Sequence, residues 1–310
     1  MKGSGDRRAL LAMCAVVVVW GSAFPAIGAA VAVYSPGHLV LLRFSVASVV
    51  LFAHALVVRL RLPERRDVPM LCVAALAGVV GYQTALSYGQ RVVSAGAASL
   101  LVNTSPIFTV LLAAAFLGER LTRLGWVGVA VSVAGASVVS VAEAGELRLE
   151  PAALLVVFAA AAGSVYTVLQ KPFLRRYRPI EYVSYIVWSG TTMLMVFAPG
   201  LADAARHGPL GATGAAVYLG LSPSIAGYAL FTYGLSRLPA SRVASFMYLI
   251  PGSALAISWV WLGETPTWLT LAGGIVSLLG VVIVNRWGML ASSRPLADSA
   301  PVHDNGAPHA

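Results

Sequence analysis

The most constraining feature of this sequence is a series of long apolar runs that contain almost no charge. The runs 13–20, 39–58 and 240–262 are examples, and about 20 consecutive apolar residues are enough to cross the hydrocarbon core of a bilayer. Only 11% of the residues are charged and 58% are hydrophobic, whereas roughly 25% of the residues in a soluble domain are charged. Such a chain cannot cover its surface in water, so we expect an integral membrane protein.

Ten apolar segments have the length of a membrane span. An open strand would leave backbone groups unpaired in hydrocarbon, and the alternating pattern of a membrane barrel is absent, so the segments are predicted to be helices. The expected fold class is therefore all-α integral membrane, with ten transmembrane helices. Spans 1 to 10 are predicted at 9–29, 38–58, 69–90, 94–117, 124–141, 152–171, 181–199, 213–235, 241–262 and 267–286.

The basic residues are distributed unequally between the two sides of the membrane. If the chain begins in the cytoplasm, 17 Lys and Arg lie on the inner side and 3 on the outer side. The positive-inside rule then predicts a multi-pass protein of the cell membrane (the bacterial inner membrane) with both termini cytoplasmic. The first run lacks a small-residue cleavage site, so we interpret it as a retained span and not as a signal peptide. The net charge of +9 is spread over short loops, and no nucleic-acid partner is expected.

The two halves of the chain resemble each other. A shift of 145 residues superimposes proline, glutamate, tyrosine and glycine positions that would not match by apolar composition alone. These data predict residues 1–8 as a cytoplasmic N-terminus, 9–141 as a first five-helix repeat, 142–151 as an outer linker, 152–286 as a second repeat and 287–310 as a disordered cytoplasmic tail. The matched pairs include Tyr88 and Tyr233, Pro106 and Pro251, Glu119 and Glu264, Thr122 and Thr267, Gly128 and Gly273, and Gly135 and Gly280.

The number of spans in each repeat carries a functional implication. Because five is odd, the second repeat must enter the membrane from the opposite side to the first. Two halves related by an axis in the membrane plane can exchange inward-facing and outward-facing shapes, and secondary transporters use this device. The repeat therefore predicts a transporter built from two inverted five-helix halves.

Three motifs resemble those of a known family. The residues Trp20-Gly21-Ser22 lie in span 1, Leu117-Gly118-Glu119 follow Pro106 in span 4, and Leu262-Gly263-Glu264 follow Pro251 in span 9. Together they resemble the signatures of EamA-type carriers in the drug/metabolite transporter superfamily, over about residues 9–286. The resemblance implies ten helices in two inverted halves and export of amino acids or related small metabolites by alternating access. It also implies a central cavity lined by spans 1, 3, 4, 6, 8 and 9. One departure is Ala162 before Gly163-Ser164, where a second tryptophan would stand, so the halves should line the cavity unequally.

Polar and aromatic side chains within spans are the candidates for substrate binding. Polar groups at membrane depth tend to face a bundle interior or a wet cavity, and aromatic rings suit an apolar or aromatic substrate. The alternative is that Asn, Ser and Thr hydrogen-bond across helices and hold the bundle together. The candidate substrate-binding residues are Trp20, Ser22, Phe24, Tyr82, Gln83, Ser87, Asn103, Ser164, Tyr166, Tyr228 and Tyr248.

Other candidates concern gating and charge. Pro106 frees a backbone carbonyl one turn earlier, at about Val102, which a ligand or a water could use. Arg43, well inside span 2, could bind a substrate carboxylate, although we favour a structural role. Because no Asp or Glu lies in mid-span, facilitated or weakly coupled export is favoured over proton pumping. The predicted gate or hinge residues are Pro25, Pro106, Glu119, Pro223, Pro251 and Glu264.

The remaining features suggest no cofactor. Cys14 and Cys72 lie in apolar runs and are interpreted as packing residues, and no metal site or cofactor is predicted. The glycine pairs of spans 5 and 10 form smooth stripes. They could pack inside the protein or form a dimer interface, and we favour packing inside the protein. The expected oligomeric state is monomer or homodimer. The expected partners are a small-molecule substrate and the lipid bilayer. The main alternative function is an integral membrane protein without transport activity, either an embedded enzyme or an assembly subunit. The sequence gives little support to an embedded enzyme, since it contains no recognisable catalytic motif.

Overall fold

The computed structural model describes residues 3–58, 60–117, 121–145, 150–174, 176–238 and 246–287. Within these ranges the chain forms helices and no β-strand. Nine of the described helices are long and apolar enough to cross a membrane, and a tenth, Ile250–Leu262, is apolar but shorter. The predicted all-helical membrane fold is confirmed, and the predicted span 9 is described only from residue 246 onwards.

The helices coincide closely with the predicted spans, because both the length of each span and the polar loops between spans are imposed by the bilayer. A short helix in the loop between spans 7 and 8, α11, was not predicted. The helices are α1 (Gly3–Gly21) and α2 (Ala23–Val31) in span 1, α3 (Pro36–Val58) in span 2, α4 (Val68–Ala75) and α5 (Tyr82–Gly89) in span 3, α6 (Ala95–Val102) and α7 (Ser105–Leu117) in span 4, α8 (Arg123–Ala144) in span 5, α9 (Pro151–Phe173) in span 6, α10 (Pro179–Leu194) in span 7, α11 (Leu201–His207), α12 (Leu210–Leu221) and α13 (Tyr228–Arg237) in span 8, α14 (Ile250–Leu262) in span 9 and α15 (Trp268–Trp287) in span 10.

Spans 4 and 9 are interrupted at equivalent places. Span 4 leaves the helical pattern at 103–104, just before Pro106, and span 9 does so at 248–249, just before Pro251. Proline removes a backbone donor and clashes with the preceding turn, so each break follows from the local sequence. The carbonyl of Val102 accepts a 2.7 Å hydrogen bond from the Ser105 hydroxyl, so the protein itself provides that carbonyl with a partner.

Spans 3 and 8 each contain a segment of π-helix. In span 3 it covers Leu76–Gly81 and in span 8 it covers Ser222–Gly227. Each π-segment ends in a glycine that is followed by a tyrosine, Tyr82 or Tyr228. A π-turn holds one more residue than an α-turn and is frequent at functional sites. The repeat is therefore visible in the backbone as well as in the sequence.

The repeated threonines begin the last span of each half. The Thr122 hydroxyl accepts a 2.8 Å hydrogen bond from the backbone nitrogen of Gly125. Thr267 accepts one of 3.1 Å from the backbone nitrogen of Thr270. A side-chain oxygen at this position satisfies one of the free N–H groups that begin a helix. The two threonines match because each half caps its fifth helix in the same way.

Spans 5 and 10 cross through their glycine stripes. A Cβ atom on Gly128 would clash with the carbonyl oxygen of Gly280, and one on Gly135 would clash with that of Gly273. Residue numbers rise along one helix as they fall along the other, so the two helices are antiparallel. This is the arrangement expected of an inverted repeat, and the prediction that the glycines pack internally is confirmed by these contacts.

Several predicted features lie wholly or partly outside the part of the chain that the structure describes: Glu119, residues 1–2, 146–149 of the predicted outer linker, 241–245 of the predicted span 9, and the tail from 288 onwards. The two cysteines are free thiols, with Cys14 exposed and Cys72 half-buried.

Candidate functional site

A small cavity lies between the two halves of the protein, and we name it the central cavity. Its polar lining comes from Gln83 in span 3, Tyr166 in span 6, and Ser224 and Tyr228 in span 8. Its volume is about 30 Å³, which is enough for one or two water molecules. The remaining lining residues are Phe44, Gly78, Val79, Val183, Ile186 and Val187.

The π-segments bring aromatic rings close to the backbone at this cavity. A Cβ atom on Gly78 would clash with the ring of Tyr166, and one on Gly227 would clash with the indole of Trp20. Both glycines belong to π-segments, one in each half. The absence of a side chain at these two positions is therefore what allows the rings to pack against spans 3 and 8.

The aromatic side chains form a connected group along one side of the central cavity. The Trp20 indole donates a 3.2 Å hydrogen bond to the carbonyl of Pro223. Its ring meets that of Tyr228 edge-on, with the ring centres 5.6 Å apart. Tyr166 packs against Tyr182 with a centre-to-centre distance of 6.0 Å and lines the central cavity together with Tyr228. Spans 1, 6, 7 and 8 are joined by these contacts.

Arg43 reaches the same region from span 2. Its Nη1 donates a 3.0 Å hydrogen bond to Oε1 of Gln83, and its Nη2 donates a longer one, 3.4 Å, to Oγ of Ser224. Both acceptor residues line the central cavity. The sequence identified Arg43 as buried in a span, but the partners that place it at the cavity come from distant parts of the chain.

Several predicted substrate-binding residues make contacts with the protein itself. The hydroxyl of Ser22 forms a 2.6 Å hydrogen bond with that of Tyr218. The hydroxyl of Ser164 donates to the carbonyl of Ser105 at 2.7 Å, which joins span 6 to the break in span 4. Phe24 lies in an apolar cluster with residues of spans 2, 3, 4 and 6. These contacts also suit a structural role, and substrate binding by these residues stays a prediction.

The other predicted residues are more widely distributed. Tyr248 accepts a hydrogen bond from the side chain of Asn285 and packs in a cluster of spans 4, 9 and 10. Asn103 ends the first part of span 4. Ser87 is fully buried, and its hydroxyl has no hydrogen-bond partner among the described residues. Tyr82 packs against Gly163 of span 6, next to the central cavity. The structure thus brings Trp20, Tyr82, Gln83, Tyr166 and Tyr228 together.

Ser224 and Tyr182, which also lie in this region, are not among the substrate-binding candidates predicted from the sequence. Ser224 follows Pro223 in the π-segment of span 8, and Tyr182 opens span 7. A serine beside a proline inside an apolar span is a usable signal for Ser224. Tyr182 gives no such signal, because a tyrosine near a span end is typical of the membrane interface.

A polar cluster joins spans 3, 6 and 7 on the predicted cytoplasmic side. Asp67, just before span 3, accepts a 2.6 Å hydrogen bond from the Tyr177 hydroxyl and a 2.5 Å charged one from Arg176. The Tyr177 hydroxyl in turn accepts from the backbone nitrogen of Glu64. The Tyr177 hydrogen bond, with help from Arg176, lowers the pKa of the Asp67 carboxyl. This cluster ties the first half to the second.

A second polar cluster lies on the predicted outer side, at the start of span 4. The Glu143 carboxylate accepts hydrogen bonds from the backbone nitrogen and the hydroxyl of Ser94, at 2.8 and 3.2 Å. Glu264 accepts one of 3.0 Å from the backbone nitrogen of Ala95. Burial raises the pKa of the Glu264 carboxyl, and repulsion by Glu143 adds to the effect. A helix N-terminus attracts negative charge, so two carboxylates share one helix start.

Comparison with known proteins connects this architecture to a family. A family model described as "EamA-like transporter family" matches the sequence twice, over residues 7–141 and 150–286. The two matches fall on the two halves that cross at spans 5 and 10. A solved crystal structure with 20% sequence identity covers 89% of this chain and 96% of its own, with a TM-score of 0.56, and so has the same overall fold.

Three curated relatives illustrate the range of similarity. A protein of Streptantibioticus cattleyicolor, named "Probable terminal-alkyne amino-acid exporter", is 40% identical over 279 residues, which are 90% of this chain and 94% of the relative. An uncharacterized transporter of Bacillus subtilis is 37% identical and covers 86% of this chain and 87% of its own. A protein of Salmonella typhimurium, named "Probable amino-acid metabolite efflux pump", is 28% identical, and the match covers 86% of this chain and 91% of the relative.

Proposed function

Because the chain belongs to the EamA-like transporter family, we propose that this transmembrane transporter exports amino acids or related small metabolites by alternating access through the central cavity. The observation that carries the proposal is the composition of the cavity wall. Gln83 comes from the first half, whereas Tyr166, Ser224 and Tyr228 come from the second. A site shared by two inverted halves can open to either side when one half rocks against the other.

The size of the central cavity supports this mechanism. A volume of about 30 Å³ is far below the roughly 300 Å³ or more of typical small-molecule pockets. Substrate can therefore enter only if the halves separate. The polar clusters at Asp67 and Glu264 lie on opposite predicted sides, and each joins helices that such a movement would part. We propose that they act as the inner and outer closures of the transport cycle, with the helix breaks at Pro106 and Pro251 as hinges.

The substrate class and the direction of transport rest on the relatives. Two of them carry names that include amino-acid export or amino-acid metabolite efflux. The aromatic group of Trp20, Tyr82, Tyr166 and Tyr228 suits a substrate with an apolar or aromatic side chain, since aromatic rings offer both packing area and hydroxyl groups. We propose these four residues and Gln83 as the centre of the substrate site.

The proposed location is the bacterial inner membrane, with both termini in the cytoplasm. The excess of basic residues on one side supports this orientation, and it places the linker 142–151 between the halves on the outer side. A reporter fused to residue 1 or to residue 310 should be active only as a cytoplasmic reporter. An external signal from either fusion would contradict the ten-span arrangement.

Uptake by proteoliposomes tests the proposed activity. The purified protein is reconstituted, and uptake of a panel of labelled amino acids is measured with and without an imposed pH gradient. Saturable uptake of a few members is expected, and empty liposomes are the control. Uptake no faster than in empty liposomes for every member would contradict the amino-acid proposal.

The pH gradient addresses energy coupling. No Asp or Glu stands in the middle of a span, and carboxylates at membrane depth are common in proton relays. We propose facilitated or weakly proton-coupled transport, so the gradient should change the initial rate by less than about twofold. Accumulation against the substrate gradient that depends on the pH gradient would show proton coupling instead.

The proposed assembly state is monomer or homodimer, which light scattering in detergent distinguishes.

A further inference from the structure

Arg43 carries a charge that the surrounding protein does not neutralise. Only 3% of its surface is exposed, and it lies seven residues inside Pro36–Val58, or about 10 Å from the start of that helix at 1.5 Å per residue. A charge at such a depth is costly unless it is paired. Among the described residues, none of the ion pairs includes Arg43.

The partners of Arg43 among the described residues are neutral, and they leave one edge of the guanidinium poorly satisfied. Nη1 has a good hydrogen bond to Gln83, whereas the one from Nη2 to Ser224 is long, at 3.4 Å. Nε is buried and has no hydrogen-bond partner among the residues that the structure describes. The ring of Phe44 lies 5.2 Å from the guanidinium carbon, which adds a modest attraction. Nε and Nη2 form one side of the guanidinium, and this side is the less satisfied one.

The position of this edge connects it to the transport path. Gln83 and Ser224 hold the guanidinium from the two halves of the protein, and both line the central cavity. A guanidinium offers two parallel N–H donors that match the two oxygens of a carboxylate. An opening that separates Gln83 from Ser224 would remove the Ser224 partner of Nη2 and expose this edge of the guanidinium.

Resting on the proposed function, we propose that Arg43 binds the carboxylate of the transported substrate through Nε and Nη2. No carboxylate of the described residues pairs with Arg43 or lines the central cavity, so the site has no acidic counterpart for a substrate ammonium group. The protein therefore selects substrates by their carboxylate. An N-acylated amino acid binds as the free acid does, whereas an amino-acid ester or the corresponding amine binds at least tenfold more weakly.

The test is direct binding to the purified transporter, measured by calorimetry and by the ligand-induced rise in melting temperature. The probes are L-phenylalanine, N-acetyl-L-phenylalanine, L-phenylalanine methyl ester and phenethylamine, with the matching leucine series alongside. The wild type should bind the first two at least tenfold more tightly than the last two. Equal affinity for acid and ester in both series, or no preference for any acid, would overturn the proposal.

Variants of Arg43 test whether this residue causes the preference for acids over esters. A hydrogen bond to a charged group contributes about 1.5–3 kcal/mol, so Arg43→Gln should weaken acid binding by about 10- to 100-fold. Ester binding should stay unchanged, and Arg43→Lys should keep part of the preference. Arg206→Gln, which alters an exposed arginine of α11, is the matched control and should behave as wild type. Equal weakening of acid and ester in Arg43→Gln would indicate a structural role and contradict the proposal.

The wild-type measurements keep the proposal testable if Arg43→Gln does not fold. They also separate it from the proposed function. Acid-selective binding without uptake would support the carboxylate site and contradict amino-acid transport. Uptake that ignores the difference between acid and ester would support transport and contradict the role of Arg43.

Discussion

The hydroxyls of Ser132 and Ser277 form a 3.1 Å hydrogen bond with each other, and the two serines are 145 residues apart, the same interval that separates the matching positions of the two halves. Each serine is therefore the counterpart of the other. A contact between equivalent residues lies on the axis that relates the halves. Because spans 5 and 10 are antiparallel, that axis is perpendicular to both helices and lies in the plane of the membrane. Both serines are buried, so the axis passes through the protein interior.

The crossing of spans 5 and 10 should not accept even one methyl group. In Gly135→Ala, the new Cβ would overlap backbone atoms of Ser277 and Gly273, and overpacking of this kind costs about 1–3 kcal/mol. We expect a clear fall in the melting temperature of the purified protein in detergent. The matched control is Gly252→Ala in α14, where a Cβ atom meets nothing within 4 Å. Equal melting temperatures for the two variants would contradict the packing described here.

Glu264 should make stability depend on pH in a defined direction. Its pKa is raised in the folded protein above the ordinary 4.5, so the folded state holds the proton more tightly than the unfolded state does. The stability that this group contributes is present below about pH 4.5 and is lost as the pH rises through the folded pKa. Glu264→Gln imitates the protonated form. It should melt above the wild type at pH 8, and the difference should shrink as the pH falls toward 4.5. A difference that does not change with pH would contradict this assignment.

Asp67 should show the opposite dependence. Its pKa is lowered by the hydrogen bonds from Tyr177 and Arg176, so its stabilising effect is present above the ordinary pKa of 3.8 and is lost as the pH falls through the folded value. Asp67→Asn should lower the melting temperature at pH 7, and the loss should become smaller toward pH 3. Tyr177→Phe removes one of the two hydrogen bonds and should have an intermediate effect. An Asp67→Asn variant as stable as wild type at pH 7 would show that the cluster does not hold the halves together.

Labelling by a water-soluble thiol reagent should separate the residues around the central cavity from those elsewhere. The natural Cys14 and Cys72 are first replaced by serine, and single cysteines are placed at Gln83, Tyr228 or Tyr248. Substrate at about ten times its Kd occupies roughly nine-tenths of the sites, so Gln83→Cys and Tyr228→Cys should react about tenfold more slowly. Tyr248→Cys, in the cluster of spans 4, 9 and 10, should not be protected. Protection of Tyr248→Cys alone would move the substrate site to that cluster.

Much of the fold follows from constraints that a single sequence already contains. The bilayer fixes the length of each span, and the breaks before Pro106 and Pro251 result from local backbone chemistry. The π-segments were not predicted, because the extra residue in a π-turn changes the backbone hydrogen-bond pattern without changing the hydropathy of the sequence. Likewise, the sequence favoured a structural role for Arg43. Only the packing of spans 2, 3 and 8 shows that its partners are neutral and line the central cavity.

The candidate site was predictable in composition more than in arrangement. Polar and aromatic residues in mid-span identified Gln83, Tyr166 and Tyr228, which the structure places around one cavity. The same criterion also selected Ser164, whose hydroxyl donates to backbone carbonyls of spans 4 and 6. Residue type cannot distinguish a polar group that joins helices from one that faces a substrate, since both satisfy the same need for a hydrogen-bond partner.

The seam between spans 5 and 10 also bears on the origin of such a chain. The same patch of glycines and serine lies on both sides of it, as in the interface of a symmetric dimer. Nothing in that contact requires the halves to be joined by a peptide chain. Two separate copies of a five-span ancestor, inserted in opposite orientations, could have met in the same way. Gene fusion would then have let each half diverge within one chain, and Arg43 is an example of such a difference, because the matching predicted span of the second half, 181–199, contains no Lys or Arg.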